Sequence, residues 1–327
     1  MNKIISKTNK LTNKFGQRQV AIVILLILEI ILFSIITDYF FTLSNFNSII
    51  SSSIDLAIVS IGMTLVILMG GIDVSIGSIL GVIAIVIGKL LIMGVHPILV
   101  ILAAIATGII LGGFNGILIG YAGLPAIIVT LGTMNIWRAA IFGLLGGQWI
   151  SGIPSTFYFL NESILGIPIN LIIIIILYSF FWYLTKYRKF GRKIYAIGNN
   201  EESARLSGIN VKKTFVLVYA LMGILVAFAA FTYISRMGGV EITVKRVLPL
   251  KAIAAVVIGG SSITGGRGSV LGTLLGVLFI NILQNGIILL GIPSLWERAI
   301  VGVLIIIAIA TDLISTSESK EGTANEE

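Results

Sequence analysis

Cysteine is missing altogether, which excludes a disulfide framework, thiol catalysis and any thiolate metal site. Histidine occurs once, at His96 in "MGVHPI", and a lone imidazole has no co-ligands, so no metal site is expected. Charge is scarce: 11% of the 327 residues are charged, against about 25% in an average globular chain. Enzyme signatures are absent too. The sequence has no GxxxxGK[ST] loop, no HExxH pair, and no Ser/His/Asp set that one distal His could complete. "GGSSITGGRG" (259–268) has the composition of a phosphate cradle but lacks its lysine and a preceding strand. The chain therefore reads as non-catalytic, with no cofactor of its own.

What is abundant is apolar sequence, 57% of residues. Runs fall at about 20–37, 54–70, 79–93, 97–119, 124–145, 170–185, 214–235, 250–260, 269–290 and 299–312. They predict an all-α polytopic membrane protein of about ten transmembrane helices. The run at 250–260 is too short to cross alone, so a broken or re-entrant segment is expected there. The net charge of +8 does not describe a nucleic-acid surface, because the basic residues concentrate in two places. Five lie in residues 1–18 and eight in 186–213, and the positive-inside rule places both segments in the cytoplasm. Ten crossings agree with that placement. The first run lacks a small-residue cleavage site and is followed by further spans, so it reads as a retained helix rather than a signal peptide. The expected organisation is a basic cytoplasmic tail at 1–19, one transmembrane unit at 20–314 and a disordered cytoplasmic tail at 315–327.

Two glycine-rich breaks echo each other: "GGIDVSIGSILG" (70–81) and "GGSSITGGRGSVLG" (259–272). Each has Gly-Gly at the end of an apolar run, a short polar stretch, then Gly-Ser-(Ile/Val)-Leu-Gly opening the next run. Half-repeats with interrupted helices mark transporters. Gly108, Gly112, Gly116 and Gly120, and likewise Gly268, Gly272 and Gly276, recur at i, i+4 spacing, which puts each set on one helix face for close packing.

The polar residues inside apolar sequence are the candidates for a solute path. Gly71, Asp73 and Ser75 occupy the first break and Ser261 and Ser262 the second; Asp73 can equally cap the helix starting near Ser75. Asn115 and Asn135 lie in two further runs, and Asn281, Gln284 and Asn285 share one face at i, i+3, i+4. Neutral amides suit a hydroxyl-rich neutral solute, or serve as interhelical hydrogen bonds. Glu29 sits mid-run in the first helix, where it reads as an interhelical hydrogen-bonding group or as a proton-coupling carboxylate. No other carboxylate is expected at comparable depth.

The stretch 190–213, "FGRKIYAIGNNEESARLSGINVKK", reads like soluble protein. Asn199 or Asn200 supplies an N-cap, Glu201 and Glu202 favour the first turn, and Gly208 fits just past the end. A helix of roughly seven residues follows, marginal alone and expected to dock.

"AIGNNEESARLSGINV" resembles the cytoplasmic coupling loop of simple-sugar permeases of ATP-binding-cassette importers, the family of ribose, xylose, rhamnose and autoinducer-2 permeases. The similarity runs from about residue 45 to 313 and includes "FNGILIGYAGLPAIIVTLGTMNIWRA", "GGQWISGIP" and "AIAAVVIGGSSITGGRGSVLGTLLG". "PAIIVTLGTMNIWR" and "GGQWISGIP" look closer to the autoinducer-2 and rhamnose branch. The resemblance implies a membrane subunit in the bacterial inner membrane, paired with a second permease copy or a paralogue. It further implies partner ATPase subunits that hold ATP-Mg, and an extracytoplasmic sugar-binding protein delivering a small neutral carbohydrate. It also implies that Asn200, Glu201, Glu202, Ala204, Arg205, Leu206 and Gly208 contact the ATPase.

Overall fold

The computed structural model describes residues 2–241, 245–293, 296, 299–304, 306, 307 and 310, with side-chain surroundings from residue 19 onward. The polar C-terminal tail lies outside the described residues. Among the described residues, eleven α-helices bounded at both ends make up most of the fold. They are α1 (Asn2–Ile36), α2 (Leu43–Leu68), α3 (Ile76–Ile92), α4 (Pro97–Gly120), α5 (Ala126–Leu145), α6 (Ile169–Tyr187), α7 (Lys189–Asn199), α8 (Glu201–Leu206), α9 (Val211–Met237), α10 (Leu248–Ile258) and α11 (Val270–Leu289). A 3-10 helix (Ser155–Asn161) and a two-stranded hairpin, β1 (Ser163–Ile164) with β2 (Ile167–Pro168), cover one end.

Seven of the described helices are long and apolar enough to cross a membrane; α3 and α10 are shorter. Nine of the ten expected runs are helices, and residues 299–304 within the tenth are helical. α10 has 11 residues and rises about 16 Å, half a bilayer core, as the shortness of its apolar run predicts. Two boundaries differ from expectation. α2 begins at Leu43, eleven residues before its apolar run, because Thr42 caps it by accepting from the Asn45 N–H. The basic N-terminal tail continues α1 rather than preceding it.

α2 and α9 form the centre: every residue of α2 from Ser53 to Leu68 is buried. α4 presses directly on α9. A Cβ at Gly108 would strike the Gly223 carbonyl, one at Gly112 the Tyr219 carbonyl, and one at Gly116 would lie 2.7 Å from the Val216 Cα. The glycine stripe thus brings two backbones into contact. Gly272 and Gly276 do the same for α11 against the Gly259 and Ala255 carbonyls of α10. Gly268 is not on that face: α11 starts at Val270, and Gly268 lies in the preceding loop with φ +152° beside Ser261.

Gly112→Val should lower thermal stability by about 1–3 kcal/mol or more through overpacking against α9. Gly113→Ala, whose Cβ meets nothing within 4 Å, should stay within about 0.5 kcal/mol. Thermal unfolding of the two purified variants in one detergent checks the difference.

Candidate functional site

The charged stretch between α6 and α9 folds as two helices, where the sequence predicted one. α7 is amphipathic, with Gly191, Ile194 and Ile197 turned inward and Arg192 and Lys193 outward. α8 starts where capping chemistry predicts: Asn200, not Asn199, is the cap, its side chain accepting from the Ser203 N–H at 2.8 Å. α8 has six residues. Gly208, at φ +80°, closes it with its N–H on the Arg205 carbonyl, while the Ile209 N–H reaches Ala204. Glu202 and Arg205 pair on the exposed side, Leu206 projects outward at 79% exposure, and Ala204 packs inward. The helix therefore offers an exposed charged and apolar tip on a buried footing.

That footing reaches both glycine breaks. The Gly266 N–H donates to the Leu68 carbonyl at 2.9 Å, joining the second break to the end of α2. Gly198 of α7 lies against both groups so closely that a Cβ would collide with the Leu68 carbonyl. Tyr195 donates its hydroxyl to the Gly268 carbonyl at 2.9 Å. Burial raises the Tyr195 phenol above its ordinary range, so it stays protonated as the donor. The two echoing breaks also touch each other, Gly265 against the Gly70 backbone. At the basic end of the bundle, α7 and the two breaks thus form one joint.

The polar residues expected along a path divide into groups. In the first break, Asp73 Oδ1 accepts from the Ser75 N–H and hydroxyl at 2.8 and 2.6 Å, and Asn115 donates to the Ser75 hydroxyl at 2.9 Å. Asp73, Ser75 and Asn115 are each fully buried, and Gly71 lies beside the Tyr219 hydroxyl. In the second break Ser261 and Ser262 are buried, and the hydroxyls of Ser262 and Thr264 are 3.0 Å apart. Asn281 and Gln284 line a polar cavity of about 390 Å³ with Ser52, Leu56, Arg236, Lys245, Arg246, Val247, Leu248 and Lys251. Lys251 donates to Gln284 there at 2.9 Å. Asn285, on the same face by spacing, instead exchanges amide hydrogen bonds with Asn45 of α2. Asn135 stands apart, exposed on α5 and bonded to the Leu131 carbonyl of its own helix.

The cavity is more charged than an amide stripe alone predicts. Beside it, Asp55 on α2 is fully buried and accepts from the Thr232 hydroxyl (2.8 Å), Arg236 (2.6 Å) and Lys245 (2.6 Å). This deep carboxylate corrects the expectation that Glu29 stands alone. Its depth was hidden because it stands at the edge of the apolar run drawn at 54–70, whereas α2 begins at Leu43 and carries Asp55 well inside the helix. Glu29 itself is 7% exposed with neither carboxylate oxygen bonded, facing α11, and no second acid joins it among the described residues. Groups of three or more His, Cys, Asp and Glu able to hold a metal are absent among the described residues. His96 caps α4, its Nδ1 accepting from the Ile98 N–H.

A helical bundle with interrupted helices, a polar cavity and a docked helical cap is in keeping with a transport permease. The chain belongs to the family described as branched-chain amino acid transport system / permease component, which matches residues 45–309. It is 37% identical over 290 residues to the ribose import permease protein of Bacillus subtilis (strain 168), covering 88% of this chain and 90% of that one. It is 34% identical to the autoinducer 2 import system permease protein LsrD of Enterobacter sp. (strain 638), covering 89% and 91%. To LsrC of Yersinia pseudotuberculosis serotype IB (strain PB1/+), a second autoinducer 2 import system permease, identity is 35%, covering 86% and 80%. No solved structure matches the chain.

Removing the Asp55 carboxylate strands two cations around the cavity, and breaking a buried pair costs about 3–5 kcal/mol. Asp55→Ala should therefore lower the melting temperature far more than Glu202→Ala, whose exposed pair is worth about 0.3–0.5 kcal/mol. Thermal scans of both variants check this.

Proposed function

We propose that this chain is the membrane-spanning subunit of an ATP-driven importer in the bacterial inner membrane, with both termini in the cytoplasm. It carries a small, hydroxyl-rich neutral sugar or sugar-like solute and hydrolyses no ATP itself. The observation that carries this reading is the joint at the basic end. α8 is exposed at its tip and rests, through α7, on the backbones of both helix breaks. A push on Glu201, Glu202, Arg205 and Leu206 from closing ATPase subunits would reach both breaks at once, the requirement for two-state rocking.

The polar cavity supports the solute class. Lysine and arginine donate to sugar hydroxyls and the amides of Asn281 and Gln284 accept from them, with Asp55 pairing Arg236 and Lys245, and Gln284 accepting from Lys251. In this reading the path leads from the cavity toward Gly71, Asp73, Ser75 and Asn115 of one break and Ser261 and Ser262 of the other. A second permease copy or a paralogue completes it, and an extracytoplasmic binding protein delivers the solute. The names of the relatives, ribose and autoinducer 2 import permeases, support the sugar-like class.

The test is uptake by the chain reconstituted with its ATPase, partner permease and binding protein. Uptake should require ATP and fall at least ten-fold in Glu202→Lys plus Arg205→Glu, with the folded bundle intact. ATP-independent uptake that survives this variant and vanishes in Glu29→Gln would overturn the proposal in favour of a proton-driven carrier.

A further inference from the structure

We propose that the unwound segment between α2 and α3 forms, with Asn115 of α4 and Tyr219 of α9, a binding site for one sodium ion. The starting observation is a carboxylate at zero exposure with one oxygen bare: Asp73 Oδ1 is held by Ser75, and Oδ2 has no partner. Among the described residues no lysine, arginine or histidine reaches Asp73. Buried carboxylates are paired or hold metals, and Asp55, with its two cations, shows how this same fold pairs one.

Two more oxygens around the break are buried and unpartnered, Asn115 Oδ1 and the Tyr219 hydroxyl. Both side chains touch the break itself. Asn115 Nδ2 is bonded to Ser75, which turns that amide end toward the break. The Tyr219 backbone packs on Gly112, and its hydroxyl lies at Gly71, two residues before Asp73. The donor set is one carboxylate and neutral oxygens, all hard, with a single formal negative charge. That set suits a monovalent hard cation; a divalent ion calls for more carboxylates. A helix break also exposes backbone carbonyls that a helix would occupy, the usual complement of such sites. Counted from the Gly-Gly pair, the second break has the neutral Ser262 where the first has Asp73, so the pseudo-repeat offers one such site, not two. A sodium ion here would tie the start of α3 to α4 and α9. The inference is independent of how transport is powered.

Equilibrium binding of radioactive sodium to the purified full-length chain should saturate near one ion per chain. Melting temperature should rise with NaCl, relative to choline chloride at equal ionic strength, by about 2–6 °C. Asp73→Asn should weaken binding at least ten-fold and abolish the thermal shift. Tyr219→Phe, which keeps the carboxylate and removes one donor, should weaken binding several-fold. Absence of sodium binding to the wild-type chain would overturn the proposal, leaving Asp73 satisfied by a proton or a water. Binding that persists unchanged in Asp73→Asn and Tyr219→Phe would overturn it as well, by placing the ion elsewhere.

Discussion

At the basic end of the bundle, the Leu68 carbonyl accepts the Gly266 N–H, and Gly198 presses on both. A carbonyl at a helix end has no partner within its own helix. Here its partner comes from 198 residues further along the chain, in the loop between α10 and α11. Because Gly198 has no side chain, α7 can seat itself against these backbones. Two helix breaks that are distant in sequence therefore meet at one place, and the amphipathic α7 has a fixed seat. The exposed tip of α8 then has a rigid base rather than a solvated loop.

Above this joint the bundle is held by backbone contact. In a membrane, lipid is as apolar as leucine, so helices gain from packing rather than from leaving water. Gly108, Gly112 and Gly116 let α4 lie against α9, and Gly272 and Gly276 let α11 lie against α10. Such interfaces have two well-defined sides and little slack.

The two buried aspartates show how the same residue meets two fates. Asp55 lies where α9 ends and the following loop returns, so Arg236 and Lys245 converge on it. Asp73 lies in the first break, among hydroxyls and an amide. In sequence each is a single acid near an apolar run. Nothing local distinguishes the paired one from the unpaired one, because the partners of Asp55 are about 180 residues away.

Local chemistry was legible. Apolar run lengths predicted the spans and the half-length α10, charge placement marked the basic segments, and capping rules found α8 and its two ends. The i, i+4 glycines marked the packing faces, apart from Gly268, which precedes α11. These features depend on a few neighbouring residues and on backbone geometry, so sequence alone determines them. Tertiary structure decided the rest. It separated Asn285 from Asn281 and Gln284, assigned Asn45 and Lys251 as partners, turned Asn135 outward and drew Tyr219 beside Asp73. Spacing gives the face a residue shares, but what meets that face depends on which helix packs there. That choice is made by contacts between segments far apart in the chain.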